Sequence, residues 1–261
     1  MFTFKSHKPA ILWRVLSGGN MCFSASASFT AGVLLTVIGT ETLRKVHKPA
    51  QIVFACVPLF FAFQQFTEGV LWLAINHAGF AGLQAAATYV FVVMAQVIWP
   101  LLIPLSVLLM EQNKTRQKFI FILLLSGSAA ALYYIYRLIF FGIHAYIVSL
   151  HISYSNSFGD FFGPAAVVLY LAATLGPLFI SGIKRTHVLG MTMVLSVLIS
   201  AVFYEQCLTS VWCFFAAVIS FGIYYIIRDA HKKFRLDAAG LKKIIPGVII
   251  PLVIKPKGPR R

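Results

Sequence analysis

Polar side chains line one helical face inside a segment that is otherwise apolar. Gln64, Glu68 and Trp72 follow one another at four-residue steps, and Gln65 lies three residues before Glu68. On a helix these side chains share a face. A carboxylate within a membrane span costs about 2.5–3.5 kcal/mol on insertion scales, so it must face protein or water and find partners. Such a residue indicates either a site that binds a ligand, a proton or a metal ion, or a structural polar network.

The composition of the chain indicates a membrane protein. The chain has 261 residues, of which 59% are hydrophobic and only 11% are charged, whereas a soluble domain carries about 25% charged residues. The formal net charge of +15 would suit a nucleic-acid partner, but the basic residues sit in short clusters between apolar runs. This distribution is typical of loops at a membrane surface. We therefore expect membrane lipids as partners and no nucleic acid.

The apolar runs are long enough for seven transmembrane helices. We predict an all-α fold in which residues 21–228 form one seven-helix bundle and residues 229–261 form a basic tail. Residues 1–20 do not resemble a signal peptide, and we expect Met21 to be the natural initiator, the alternative being a short translocated or interfacial tail. The predicted spans are 24–43, 51–75, 88–110, 119–141, 163–183, 188–204 and 209–227.

The distribution of Lys and Arg predicts the orientation of these spans. Eight of these residues lie in the connections that follow the first, third and fifth spans, and ten more lie in the tail from Arg228 onward. The connections at about 76–87, 142–162 and 205–208 contain none. Because basic residues favour the cytoplasmic side, we expect the N-terminal end outside and the C-terminal tail in the cytoplasm. The predicted location is the inner (plasma) membrane.

Small residues and prolines predict how the helices pack. A stripe of small residues at four-residue steps in the first span predicts a close packing face: Ser24, Ser28, Gly32, Thr36 and Thr40. Four prolines within three spans remove backbone donors and predict kinks and freed carbonyl groups that other side chains must satisfy: Pro58, Pro100, Pro104 and Pro177.

The longest connection outside the membrane contains candidate metal ligands. Residues 144–154 alternate partly at period two, which predicts a short extended hairpin or a cap over the mouth of the bundle. Imidazole and carboxylate groups suit zinc or another divalent ion. The candidate ligands are His151, Asp160 and Glu68, with His144 nearby in sequence. Their spacing matches no zinc motif, and loop histidines are more often plain surface groups.

Chain direction places nearly every intramembrane polar group in the outer half of the predicted bundle. Arg137 is the only basic side chain there, and Glu68, Glu205 and Asp160 are the only acids. An Arg–carboxylate pair is the default way to keep such groups charged. The alternatives are an ion-pair network that ties the spans together and an outward-facing ligand pocket. The candidate ligand-binding residues are Gln64, Gln65, Glu68, Trp72, Gln96, Arg137, Glu205, Trp212 and Ser24.

Three of the four cysteines lie on the predicted outer side, where a disulfide can persist. They are Cys22, Cys207 and Cys213. Two of these three can pair, and the sequence does not indicate which.

Several motifs resemble those of a bacterial membrane-protein family of unknown function. They are Met21-Cys-Phe-Ser-Ala-x-Ala-Ser-Phe29, Gln64-Gln-Phe-x-Glu-Gly69 with Trp72, His151-Ile-x-Tyr154, and Ser210-Val-Trp-Cys-Phe-Phe-Ala-Ala217. The resemblance covers about residues 21–228 and implies that family members begin at the position of Met21. It brings no assigned activity, and it implies only that the motif residues are signature positions.

Three functional hypotheses are compatible with these patterns. The first is a binding or sensing protein whose outward-facing pocket takes a small or lipid-derived ligand. The second is a metal-dependent intramembrane lipid hydrolase, because the topology is similar to that of ceramidase-like hydrolases, although their Ser/Asp/His zinc pattern is not matched here. The third is a proton-coupled transporter with Glu68 as the carrier. Rhodopsins share the topology too, but the seventh span lacks a lysine for a retinal Schiff base. No cofactor is assigned.

Overall fold

The long apolar runs form helices, because a backbone surrounded by lipid must satisfy its hydrogen bonds within its own segment. The computed structural model describes residues 24–75, 77–148, 151–155, 163–203 and 215–244. Within these ranges a hairpin of β1 (His144–Val148) and β2 (His151–Ser155) separates four helices from three. The helices are α1 (Ala25–Arg44), α2 (Ile52–Ile75), α3 (Ala81–Met110), α4 (Lys114–Phe141), α5 (Gly163–Ile180), α6 (Thr186–Phe203) and α7 (Ala216–Ile244).

Five of the described helices are long and apolar enough to cross a membrane: α1, α2 with the turn that precedes it, α3, α4 and α5. Residues Thr186–Ile199 of α6 form a shorter apolar helix. Large apolar side chains such as Val33, Ile139 and Phe140 point away from the protein interior, as lipid-facing residues do. The chain is therefore a mainly helical membrane protein, and among the described residues the hairpin is the exception to the helical structure.

Three helices extend well beyond the predicted spans, and the smallest of these extensions is in α4, which begins at Lys114 instead of residue 119. α3 begins at Ala81 instead of residue 88, and α7 continues to Ile244 instead of ending at residue 227. The first turns of α3 are rich in alanine with a single glutamine, so they favour a helix but do not add to an apolar run. The continuation of α7 is charged, and hydropathy marks the edge of a membrane span but not the end of a helix.

The packing face of α1 differs from the predicted stripe in its second half. The buried face follows Ser28, Gly32, Leu35, Gly39 and Thr42. With 3.6 residues per turn, each four-residue step moves a side chain about 40° around the helix. A strict four-residue stripe therefore leaves the interface, and Thr40 is exposed and donates to the carbonyl of Thr36 in its own helix at 2.8 Å.

A π-helical turn at Met94–Ile98 interrupts α3 just before Pro100. In such a turn the carbonyl of Ala95 would accept from the nitrogen five residues later, which is Pro100 and carries no hydrogen. The hydroxyl of Tyr170 on α5 donates to that carbonyl instead, at 2.8 Å. The predicted freed carbonyl is thus present, and a tyrosine from a neighbouring helix satisfies it.

The β1–β2 hairpin confirms the extended segment predicted for this connection. The strands are antiparallel, with His144 opposite Ser155 and Val148 opposite His151. Ala145 and Ile152 are buried in a cluster with Leu71 of α2 and Ala87 of α3. We call this end of the molecule the hairpin end, and the opposite end, where α1, α3 and α5 terminate, the basic end.

At the basic end, the loop after α1 contacts the polar part of α7. The rings of His47 and His231 lie edge to face, with centroids 6.1 Å apart. Burial, followed by the positive charges of Lys48 and His231, lowers the pKa of His47 below its ordinary value of 6.5, although a hydrogen bond with the Lys45 backbone raises it. The folded protein therefore resists protonation of His47.

The lowered pKa of His47 predicts that the folded protein loses stability in acid. Above pH 6.5 His47 is neutral in both states, whereas below it the unfolded chain binds a proton that the folded chain resists. Stability should therefore fall as the pH drops below about 6.5, with a slope of at most about 1.4 kcal/mol per pH unit from this group. His47→Gln should show a smaller fall in melting temperature between about pH 7.5 and 5.5. The exposed His77→Gln control should retain the wild-type fall, and identical curves for both variants would contradict the prediction.

Candidate functional site

The polar ladder of α2 lies inside the protein. Gln64, Gln65 and Glu68 are exposed by only 0%, 4% and 3%. Each lies within the helix at the spacing that puts it on the inward face, among buried apolar neighbours such as Phe61 and Leu71. The predicted shared face is confirmed for these three side chains, and it faces protein rather than lipid.

Trp99 of α3 fixes the orientation of the Gln64 amide. The indole nitrogen of Trp99 donates to Oε1 of Gln64 at 2.8 Å, and the ring stacks on Phe61 with centroids 4.1 Å apart. An indole N–H is a donor only, so it identifies which end of the amide is the oxygen. The contact links α2 to α3 directly after the π-helical turn.

The other end of this amide has no hydrogen-bond partner. Nε2 of Gln64 is buried and donates to no acceptor among the described residues. A buried donor left unsatisfied costs about 1–3 kcal/mol, and native structures contain few such groups. The Gln64 amide is therefore a donor available to an acceptor that the described part of the chain does not supply.

Glu68 lies one turn closer to the hairpin end than Gln64. Nε2 of Gln65 approaches Oε2 of Glu68 at 3.5 Å, which is long for a hydrogen bond. The three side chains form a ladder, which we call the α2 polar cluster (Gln64, Gln65 and Glu68). It combines amide donors with a carboxylate in a water-poor place, so it can hold a polar group of a ligand or bind a proton.

The remaining candidates on described residues are less directly connected to this cluster. Trp72 is partly buried and packs against the cluster formed by Leu71 and the hairpin. Gln96 lies in the π-helical turn, is partly buried and makes no side-chain hydrogen bond within the described residues. Ser24 caps α1 by accepting from the nitrogen of Ala27 at 3.3 Å. Its hydroxyl is therefore used in capping the N-terminus of α1.

Arg137 is positioned on the hairpin half of α4. Its guanidinium lies 5.8 Å from the ring centroid of Tyr133, one turn earlier on the same helix, and its Nε atom is buried. Cation–π contacts of this kind stabilise an arginine in apolar surroundings. Of the three acids predicted to accompany it, Glu205 and Asp160 lie outside the described residues, and Glu68 lies on α2.

Several predicted residues lie outside the structural description. They are Asp160, Glu205, Trp212 and the cysteines Cys22, Cys207 and Cys213, and for His151 only the backbone is described. Within the described ranges no three His, Cys, Asp or Glu side chains come close enough to hold a metal ion. The metal hypothesis therefore remains a prediction.

Sequence reasoning missed the partners that position the cluster and the hairpin. Sequence reasoning did not identify Trp99 as a partner of Gln64, although the N–H group of an indole beside a proline within a span needs a hydrogen-bond acceptor. Gln84 donates to the carbonyl of Ala145 in β1 at 3.1 Å. The sequence feature that could have identified Gln84 is an amide side chain near the end of an apolar run. Glu111 at the basic end is buried and accepts from the backbone of the loop after α5.

Comparison with known proteins adds a family but no activity. A family model described as a family of unknown function, DUF6629, matches residues 21–238. The matched region extends ten residues beyond the limit predicted from the motifs, into the charged part of α7. No curated protein and no solved structure matches the chain.

Proposed function

Because this chain belongs to the family of unknown function DUF6629, we propose its function from its own side chains. We infer that it is a binding or sensing protein that takes a small or lipid-derived ligand at the α2 polar cluster. The observation that carries the proposal is the buried Gln64 amide, which has its oxygen bound by Trp99 and its nitrogen without an acceptor in the described part of the chain. A ligand oxygen would satisfy that donor.

The expected ligand is largely apolar and carries an uncharged hydrogen-bond acceptor. The Glu68 carboxyl group lies one turn from Gln64, and in its ionised form it repels an anionic ligand at that distance. The stacked rings of Phe61 and Trp99 present apolar surface beside the amide. A hydroxyl group on an apolar body fits these surroundings better than a phosphate or carboxylate, because it can accept from the Gln64 amide and donate to the Glu68 carboxyl group.

The proposal includes an orientation. We place seven spans in the bacterial inner (plasma) membrane with the N-terminal end outside and the C-terminal tail in the cytoplasm. The support is the concentration of Lys and Arg at the basic end and in the continuation of α7. In this orientation the hairpin end is the outer end, so Glu68 of the α2 polar cluster lies in the outer half of its span, inside the protein.

Native mass spectrometry of protein released from its own membranes tests the proposal. We expect a bound non-protein mass on the wild type that falls about tenfold in occupancy for Glu68→Gln and Gln64→Leu, because each variant loses a hydrogen bond to the ligand and about 1.4 kcal/mol corresponds to a tenfold change in affinity. Glu41→Gln is the matched control, since Glu41 is an exposed acid that pairs with Arg44 on α1. Equal occupancy in all four proteins would contradict the proposal.

A further inference from the structure

The π-helical turn of α3 changes the backbone hydrogen bond of Trp99. In this turn the backbone nitrogen of Trp99 donates to the carbonyl of Met94, five residues earlier, whereas in an α-helix it would donate to the carbonyl of Ala95. A π-helical turn contains one residue more than an α-helical turn. It therefore rotates the residues that follow it by about 100° relative to an uninterrupted α-helix.

This rotation decides whether the indole of Trp99 faces Gln64. The part of α3 before the turn, Ala81–Val93, packs along α2, and Trp99 is the first residue after the turn. Relative to this packed part, an α-helical turn would point the indole about 100° away from its described direction. The hydrogen bond from the indole to Gln64 therefore depends on the π-helical turn.

Pro100 leaves one carbonyl without a backbone donor in either arrangement of the turn. In an α-helical turn the carbonyl of Gln96 would face the nitrogen of Pro100, and in the π-helical turn the carbonyl of Ala95 faces it. The proline nitrogen carries no hydrogen, and an unpaired carbonyl in apolar surroundings is costly. A donor from another helix at one of these two carbonyls therefore favours one of the two arrangements.

Tyr170 of α5 supplies that donor at the carbonyl of Ala95. Its hydroxyl donates to this carbonyl at 2.8 Å, and both residues are buried. The ring of Tyr134 on α4 lies edge to face against the ring of Tyr170, with centroids 6.4 Å apart. The hydroxyl is thus held at the carbonyl that lacks a backbone donor in the π-helical arrangement, and it favours that arrangement.

The π-helical turn acts on the ligand donor through the side chain of Trp99. The indole N–H group accepts nothing, so its bond to Oε1 of Gln64 keeps Nε2 directed away from Trp99. Without this bond the amide can turn over and present its oxygen where its N–H group now lies. The contact from Trp99 therefore makes the N–H group of Gln64 the atom that meets a ligand.

We propose that Tyr170 is a positioning residue of the ligand site, an inference that rests on the proposed function. Tyr170 holds the π-helical turn, the turn places Trp99, and Trp99 fixes the Gln64 amide with its N–H group toward the ligand. Tyr170 itself does not touch the ligand. Through this series of contacts, α5 controls the affinity of a site that lies on α2.

Nuclear magnetic resonance of the indole N–H groups tests these contacts without any ligand. The full chain, which contains four tryptophans, is labelled with isotope-enriched tryptophan, purified in detergent and stripped of ligand. The signal of Trp99 is the one that Trp99→Phe removes, and Gln64→Leu gives the position of that signal when the acceptor is absent. We expect Tyr170→Phe to move the Trp99 signal at least half of the way from its wild-type position to its position in Gln64→Leu.

Thr174→Val is the matched control on α5. Thr174 is buried one turn after Tyr170, and its hydroxyl donates to the carbonyl of Tyr170 in the same helix at 2.9 Å. Valine removes a buried hydroxyl but leaves Ala95 its donor, so the Trp99 signal should stay at its wild-type position. Equal movement in the two variants would overturn the proposal as general loosening of α5. An unmoved signal in Tyr170→Phe would overturn it too, because Pro100 would then fix the turn without Tyr170.

Ligand occupancy separates this inference from the proposed function. In native mass spectrometry the bound mass on Tyr170→Phe should fall about tenfold in occupancy, which corresponds to about 1.4 kcal/mol, and Thr174→Val should keep the wild-type occupancy. A moved Trp99 signal with wild-type occupancy would overturn the positioning role and leave the ligand site standing. A wild type without any bound mass would contradict the proposed function, whichever way the signal of Tyr170→Phe moves.

Discussion

Gly127→Ala is expected to destabilise the protein by about 3 kcal/mol or more, at the upper end of overpacking effects. A Cβ atom at this position of α4 would lie 2.0 Å from the carbonyl oxygen of Pro100 and 2.9 Å from Cβ of Ala173. The first of these atoms is backbone, so no side-chain rotation relieves the clash. The helices must move apart where Tyr170 and Trp99 link α3 to its neighbours.

Gly82→Ala is the matched control for this change. Gly82 also lies in a helix, but nothing lies within 4 Å of the position its Cβ would occupy. Alanine there should be neutral or stabilising by about 0.5–1 kcal/mol, since it lowers the entropy lost on folding. Thermal unfolding of the two variants in the same detergent makes the comparison, and equal melting temperatures would refute the close contact between α3 and α4.

Glu111→Ala should be the second large effect, at about 2–3 kcal/mol, because it removes a charged acceptor from four donors, of which the Ser181 hydroxyl is buried and the three backbone nitrogens are part-buried. The Glu111 carboxylate accepts from the nitrogen of Gly182 at 2.7 Å, from Gln112 and Asn113 at 3.0 Å each, and from the hydroxyl of Ser181 at 3.3 Å. It thereby joins the loop after α3 to the loop after α5 at the basic end.

The pKa of Glu111 explains how this contribution varies with pH. Burial is the largest single influence and raises the pKa, but the hydrogen bonds from Asn113, Gly182, Gln112 and Ser181 together outweigh it and lower the pKa below its usual range. The carboxylate therefore stabilises the fold above the pKa of the unfolded chain, and the stabilisation is lost as the pH falls through the folded pKa.

The exposed acid Glu41 is the control for Glu111. Its ion pair with Arg44 is exposed on α1, and such pairs contribute about 0–1 kcal/mol. Glu41→Ala should therefore barely change the melting temperature at neutral pH, whereas Glu111→Ala should lower it by several degrees. Equal shifts in the two variants would show that the Glu111 hydrogen bonds contribute little.

The apolar helices were predictable from the sequence, because a helix that crosses the lipid must be a run of about 20 mainly apolar residues. The limits of α2 and α5 lie within about three residues of the predicted spans, since each is a long apolar run. The start of α3 was missed because alanine favours a helix without adding to an apolar run. The face shared by Gln64, Gln65 and Glu68 was predictable because it depends only on helical periodicity.

The partners of that face were not predictable from periodicity. The contact between Gln64 and Trp99 depends on the axial register of α2 against α3, which the π-helical turn shifts, and neither feature has a local sequence signal. The alternation at 144–154 predicted the extended conformation of the hairpin. Its packing against Leu71 and Ala87 depends on tertiary structure and has no local sequence signal. Glu111 was not predicted, because the sequence does not show which hydrogen-bond donors will surround an acidic residue in a loop.

The melting temperature of ligand-stripped Glu68→Gln, measured beside its ligand occupancy, tests the central claim most directly. Glutamine preserves the shape of the side chain and removes the ionisable group. If the α2 polar cluster is a ligand site, the melting temperature should stay close to that of stripped wild type while the bound mass is lost. A large fall in melting temperature would instead show that Glu68 belongs to a structural network, and it would contradict the proposed function.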